Sequence, residues 1–429
     1  MIQAALFKGV SILLSLVYVP IVLNYLGDYK YGVWATVLSI LSWISYFDLG
    51  IGNGLRNRLS EALALDDPKT DARTLVSSAY AILGAIVAAV AVVCGAAIAL
   101  VDWPTLLSAW DVGENLLCVM EISFLGMCLS FVLMLCNNVF YALQKAQIVN
   151  LMAVFQQAAM VLSVWLLSLT HENDLTAVAI LYVCSNIFIY GLFTIFVFLR
   201  NRSIAPSLKR VDRRVAKDLG GLGAKFFIAQ IATLVLFTTD NLIISNLFGP
   251  EQVTVYSTAN KVFTVVISLF VALVAPFWSK TTVDFARGDI GGIRLTLVKM
   301  CKLFVVASAG TILLALVFKP LVAFWLGRDL GFTWSLIAMM ALYAIVYMWN
   351  AVWSQITNGL TLVNFVAVVS CVQTVVNIPL SLLFATVCGL GVEGVLLGTI
   401  LTMAISSVTY PVYSRLALAK AERECLNAE

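Results

Sequence analysis

The sequence predicts an all-α membrane protein, about twelve transmembrane helices gathered into two six-helix lobes, and three observations predict it. The chain of 429 residues is 62% hydrophobic and only 11% charged, with a mean hydropathy of +0.99, more apolar surface than a water-facing globule of this length accommodates. Its apolar runs recur at about 20 residues, the length that crosses roughly 30 Å of hydrocarbon at about 1.5 Å per residue. Its lysines and arginines gather in alternate connecting segments, as the positive-inside rule requires. The net charge of +3 is too small to argue for any anionic partner, and it gives no reason to expect nucleic acid. Nine cysteines are an odd number, lie mostly inside apolar runs and form no CxxC pair, so they read as small hydrophobes. The single histidine, His171, sits in a polar turn beside Glu172 and Asp174. With no second histidine, no zinc or haem site is expected, and no metal site or cofactor is predicted.

The first span, about 4–26, runs on through Pro20 to Leu26 without a small-residue cleavage site, so it reads as a retained helix rather than a signal peptide. The second, about 32–55, contains the stretch Tyr46 to Arg58, YFDLGIGNGLRNR, which holds a carboxylate inside an apolar run. Asp48, Gly52 and Arg56 recur every fourth residue near one helical face, and Gly50, Gly52 and Gly54 predict either a bend or a close helix approach. The third to sixth spans fall near 76–101, 116–143, 148–170 and 177–199. A basic connection, 202–224, then divides the chain into an amino-terminal bundle, 1–201, and a carboxy-terminal bundle, 225–429. Within it Leu208, Val211, Val215 and Leu219 repeat at helical spacing, which reads as a helix lying on the membrane surface or as a solvated linker. Six further spans follow near 225–247, 253–278, 301–325, 334–358, 361–386 and 394–416.

With the amino terminus inside, twenty-two of the 26 lysines and arginines fall in inner segments. Only Lys30, Lys319 and Arg328 fall outside, and Lys261 remains within a span. Both termini are therefore expected to be cytoplasmic. The halves also echo one another: NYLGDYKYGVW from Asn24 matches NLFGPEQVTVY from Asn246, each placing Asn-x-(Leu/Phe)-Gly at the outer end of a half's first helix. Because each half starts inside and has an even number of spans, this reads as a parallel duplication.

Charges inside the spans carry the functional reading, since an ionised group at mid-membrane costs at least about 2.5–3.5 kcal/mol and normally faces a partner or a wet cavity. Helix rise places Lys8 level with Asp48 in the inner half of the membrane, and Asp240 level with Lys261 in the outer half. One acid–base pair per half is thus allowed, as gate or substrate contact or as plain structural salt bridges. Glu121 is a further candidate proton or sodium site. Polar and aromatic residues of YMWNAVWSQITNG, namely Trp349, Asn350, Trp353, Gln355 and Asn358, are either a sugar-contacting wall or interfacial aromatics and packing amides.

PIVLNYLGDYKYGVWATVLSILSWISYFDLGIGNGLRN resembles the first hairpin of Wzx-type polysaccharide flippases, in the MOP exporter superfamily that also includes MATE drug exporters. TTDNLIISNLFGPEQVTVYSTANKV resembles the opening of their second half, and span count and orientation extend the likeness along the whole chain. The resemblance implies two lobes in a V whose central cavity opens to either side in turn. It implies movement of an undecaprenyl-diphosphate-linked oligosaccharide, an O-antigen or other surface polysaccharide unit such as those of lipopolysaccharide, across the bacterial inner membrane. A cationic cavity would receive the diphosphate, with Arg56 in GLRN and Lys261 in TANKV as anion contacts tuned by Asp48 and Asp240, and H+ or Na+ as a coupling ion. Membrane lipids, and the polysaccharide polymerase and chain-length machinery, would be its partners. The chain departs from that pattern in having few basic residues within its spans.

Two rival readings stand beside this one. A MATE-like exporter of cationic drugs shares the architecture but calls for cavity acids without accompanying bases, against which Lys8 and Lys261 weigh. A membrane enzyme of polysaccharide assembly calls for a catalytic domain outside the lipid, and the outer loops are short. Asp66 and Asp67, ahead of Pro68, read as a helix start rather than a nucleotide-sugar metal site. No GxxxxGK phosphate loop is present to couple ATP directly. The protein is accordingly expected to be a transporter and not an enzyme.

Overall fold

The computed structural model describes residues 2–42, 44, 51–65, 71–170, 173–215, 239–360 and 362–428. Asp48, the Asp66–Asp67 pair, His171 and most of the span expected at 225–247 lie outside the described residues. Among those described there is no strand. Ten helices are long and apolar enough to cross a membrane. The first of them, α1 (Ile2–Ser42), contains two of the expected spans, since its backbone leaves helical geometry at Gly27. With 225–247 mostly undescribed, the expected count of about twelve and the observed ten describe the same chain.

After α1 come α2 (Ile51–Leu65), α3 (Ala72–Ala99), the short α4 (Trp103–Leu106), α5 (Leu116–Met134), α6 (Cys136–Ala142), α7 (Ala146–Leu167) and α8 (Leu175–Arg200). The second expected span, 32–55, is helical as far as Ser42 and again from Ile51, and residues 45–50 between them lie outside the described residues. Gly52 and Gly54 lie within α2, and Gly50 lies outside the described residues. Later helices are α9 (239–248), α10 (Pro250–Val274), α11 (Pro276–Ala286), α12 (Ile290–Leu316), α13 (Phe318–Leu326), α14 (Trp334–Gly359), α15 (Val363–Leu382) and α16 (Gly391–Ala428).

Five of the long helices begin where the sequence offers a cap. Asp71, Asn115, Asp174, Asp289 and Thr333 each accept a backbone N–H from the first turn that follows, a contact typically worth about 1 kcal/mol. At Asp71 the Thr74 hydroxyl donates as well (2.8 Å). That bond, against the opposing effect of burial, helps hold the Asp71 carboxyl below its ordinary range.

The echo between the halves has a backbone cause. Gly27 has φ of 73° and Gly249 has φ of 88°, in the left-handed region that side chains other than glycine enter only with strain. A Cβ at either would meet open space. Conformation rather than crowding therefore selects glycine at both turns.

The chain divides into two compact units, Met1–Ile231 with Ser245–Glu251, and Ala232–Ile244 with Gln252–Glu429. In unit 1, α1 packs along α7, α5 along α8 and α3, and α2 against α3 and α6. The 246–249 turn docks on α4 within this unit: Ser245 Oγ donates to Leu107 O (2.7 Å) and Asn246 Nδ2 to Leu106 O (2.9 Å). In unit 2, α14 and α15 pack on α16, and α11 and α12 pack on α14, around a core that includes Phe270, Met300, Met348, Val352, Trp353 and Tyr410.

The connection between the halves is not one surface helix over its described part. Two single 3-10 turns, Arg202–Ile204 and Leu208–Arg210, alternate with extended backbone at Ser207 and Val211. The cause is non-local. Backbone N–H groups of Ser207 and Asp212 donate to Ser77 Oγ and Ser78 Oγ of α3 (2.9 Å each), and Arg73 Nε donates to Ala205 O (2.9 Å). These bonds hold the chain out of the helix that Leu208, Val211 and Val215 suggested; Leu219 lies outside the described residues.

Candidate functional site

Helix α10 has two faces of opposite character. Val253, Tyr256, Ala259, Phe263, Ile267, Phe270 and Val274 are buried at helical spacing. Away from that stripe Ser257, Lys261, Thr264 and Ser268 recur at intervals of four, three and four, half-buried or exposed. Lys261 is thus a lysine near the middle of a span, on a polar stripe, and among the described residues it joins no ion pair or hydrogen bond. The 4-3-4 spacing of this stripe was present in the sequence and is the signal that sequence reasoning passed over.

Asp240, at the start of α9, is buried in unit 2 and 5% exposed. Tyr256 Oη donates to its Oδ2 (2.6 Å), and Thr399 Oγ1 of α16 is placed 3.1 Å from Oδ1 and 3.3 Å from Oδ2. Behind Thr399, Asn377 of α15 donates from Nδ2 to Thr399 Oγ1 (3.1 Å). Asn377 Oδ1 is buried without a partner among the described residues. The carboxyl is therefore met by the neutral hydroxyls of Tyr256 and Thr399. No described residue offers it a positive charge through an ion pair.

The pairing of Asp240 with Lys261 is accordingly corrected. Depth alone allowed it, but direction forbids it: Tyr256 faces Asp240, and Lys261 lies five residues further on, about 140° around a helix of 3.6 residues per turn. The inner pair, Lys8 with Asp48, cannot be followed, because Asp48 lies outside the described residues; Lys8 is exposed on α1. Arg56 is exposed on α2 with its guanidinium 4.8 Å above the ring of Tyr141 on α6, a cation–π contact that leaves its donors available to a ligand. Glu121 is half-buried on α5, six residues after the Asn115 cap.

The proposed sugar wall on α14 is largely packing. Trp349 Nε1 donates to Ser407 O (3.0 Å), and Asn350 Nδ2 donates to Met403 O (3.1 Å) while its Oδ1 accepts from Ser407 Oγ (3.0 Å). Trp353 is 1% exposed in the unit 2 core, edge-on to Trp349. Trp349 and Asn350 lock α14 to α16 with their polar groups consumed, so these two read as packing, while Trp353 Nε1 is buried with no partner among the described residues and its ring is enclosed by the unit 2 core. Asn358 donates to Ser354 within α14 (3.2 Å), and Gln355 keeps a buried Oε1 with no partner among the described residues.

A cluster that sequence reasoning missed lies beyond Gly27. Lys30 Nζ pairs with Glu114 Oε1 (2.6 Å) and also donates to Asn173 O. Glu114 accepts from the backbone N–H of Leu175 (3.0 Å) and Thr176 (2.8 Å) and from the Thr176 hydroxyl (2.9 Å). Burial pushes the Glu114 carboxyl up, but the Lys30 ammonium and those donors outweigh it and hold it below the usual carboxylate range. Glu114 thereby caps α8 from a distant loop, a contact with no local sequence signature.

Among the described residues no group of three histidine, cysteine or acidic side chains could hold a metal ion. A sequence profile described as "Polysaccharide biosynthesis protein" matches residues 2–281. The chain belongs to the polysaccharide biosynthesis protein family. No curated protein sequence matches this family member. Solved structures show its fold to be that of MOP-superfamily transporters. It is similar to an inward-facing multidrug resistance MATE family transporter of the MOP superfamily, with a TM-score of 0.80 at 13% identity, covering 96% of each chain. An outward-facing multidrug resistance MATE family transporter matches with a TM-score of 0.66 at 13% identity over 98% of this chain and 96% of its own. A MOP superfamily transporter from Pyrococcus furiosus, described as having a reverse polarity of its binding pocket, matches at 0.66 and 11% identity over 98% and 96%. At such identities the likeness shows the fold. What this family member carries is read from its own residues.

Proposed function

We propose that this multi-pass membrane protein of the polysaccharide biosynthesis family is a flippase. It carries an undecaprenyl-diphosphate-linked oligosaccharide, the repeat unit of an O-antigen or another surface polysaccharide, from the inner to the outer leaflet of the bacterial cytoplasmic membrane. Both termini face the cytoplasm, as the lysine and arginine distribution supports. Substrate binding shifts an equilibrium between inward-open and outward-open states. Its role is transport rather than bond-making, and it works beside the polymerase and chain-length machinery that consume its product.

The observation that carries this reading is Lys261, a mid-span lysine on a polar stripe with no partner among the described residues. A charge kept there at a cost of about 2.5–3.5 kcal/mol calls for an anion from outside the chain, and a diphosphate supplies one. Arg56 and Lys8, both exposed in unit 1, are proposed as further anion contacts in their own right. The family match weighs against a MATE-like exporter, with which the fold alone is shared.

Coupling is assigned to Asp240. A buried carboxylate whose described partners are only hydroxyls is stabilised by taking up a proton or a small cation, and Thr399 Oγ1 offers an oxygen beside it. Glu121 is the second candidate. Deleting the gene tests the substrate: polyprenyl-linked glycan should accumulate on the cytoplasmic face, and an unaltered pool would end the proposal.

A further inference from the structure

We propose that the Gly27 end of unit 1 contains a saccharide-binding pocket, distinct from the Lys261 stripe of unit 2. A pocket of 400 Å³ opens there, lined by Ile21, Asn24, Tyr25, Trp165, Ser168 and Asn173. This volume lies within the range of small-molecule sites, about 300–1,000 Å³. None of the six side chains is charged, which disfavours a phosphate or carboxylate ligand. The set instead fits a neutral polyhydroxyl ring. The indole of Trp165, 48% exposed, presents a broad apolar face to a sugar's C–H surface. The exposed carboxamides of Asn24 and Asn173 each donate and accept, as vicinal hydroxyls require.

The walls are held from behind. Tyr25 Oη accepts from the backbone N–H of Asp174 (3.2 Å), and Lys30 grips Asn173 O while pairing with Glu114 (2.6 Å). Asn173 and Asp174 are thus held by a half-buried charge pair and two backbone clamps, the support a preorganised site needs. This inference rests on the transport reading for the source of its sugar: in the orientation proposed above, the pocket lies on the outer side, where a delivered glycan emerges. The glycerol of a phospholipid headgroup offers similar hydroxyls, so the test separates the two.

Full-length protein in phosphatidylcholine nanodiscs, probed with maltotriose and chitobiose by saturation-transfer NMR, should show sugar signals. These should fall at least fivefold in Trp165→Ala and in Asn24→Leu, persist in Trp165→Phe, and remain in Lys261→Ala. Equal signals in wild type, Trp165→Ala and Asn24→Leu would overturn the pocket. So would loss of the sugar signals when phosphatidylglycerol replaces phosphatidylcholine, since the headgroup would then be the occupant. Failure of the deletion strain to accumulate glycan would remove the transport reading but leave these binding results standing, so the two can fail separately.

Discussion

Two regions built on the same turn handle charge in opposite ways. Beyond Gly27, Lys30 is paired with Glu114, and Glu114 is further satisfied by three donors at the start of α8. Around Gly249 the ionisable residues Asp240 and Lys261 turn away from each other: Asp240 is met by Tyr256 and Thr399, and Lys261 by nothing among the described residues. Both turns need glycine for the same backbone reason. A charge whose partner is built into the fold holds the fold together, whereas a charge left without one in a span is available to a ligand.

The sharpest way to break this contrast is to remove the available charge. Lys261→Ala should reduce outer-leaflet glycan delivery at least thirtyfold while membrane insertion stays normal, because loss of a charge-assisted contact in a desolvated site costs about 2 kcal/mol or more. Lys261→Arg should restore part of the delivery, as measured by surface glycan labelling. Next in size, Asp240→Asn should abolish dependence of delivery on the ion gradient. Collapsing the proton and sodium gradients separately identifies which ion is lost.

On the structural side, Lys30→Met should leave the half-buried Glu114 without its countercharge and lower stability by about 1–3 kcal/mol in detergent, with delivery retained in cells that still insert the protein. The same pair fixes a pH dependence. Glu114 is held below its unfolded value of about 4.3, so the stability it contributes is complete above that pH and is lost as pH falls through its folded value. Thermal melting between pH 7 and 3 should show that loss, and Glu114→Gln should flatten it. Smallest of all, Gly27→Ala and Gly249→Ala should each cost about 1–2 kcal/mol by melting, and to similar extents. A large difference between the two would break the symmetry of the turns.

Much of this fold was legible because a bilayer imposes length and polarity on each span, and both are written locally. The echo of Asn24–Gly27 in Asn246–Gly249 was legible too, since a left-handed backbone position leaves a glycine in the sequence. Partnerships were harder to read. Depth put Asp240 beside Lys261, yet azimuth was also in the sequence, in the buried spacing of Tyr256, Ala259 and Phe263. That Trp349 and Asn350 spend their polar groups on α16 depends on which helix covers α14, a tertiary fact. The connection at 201–215 took its shape from serines more than a hundred residues earlier, which no local periodicity reports.

The most direct test places purified protein in proteoliposomes with a fluorescent polyprenyl-diphosphate-linked glycan and follows its exposure to a membrane-impermeant glycosidase. Wild type and Lys30→Met should expose the glycan at comparable rates, with Lys261→Ala at least thirtyfold slower. Equal rates in Lys261→Ala and wild type would contradict the assignment of the unpaired lysine as the receptor for the headgroup.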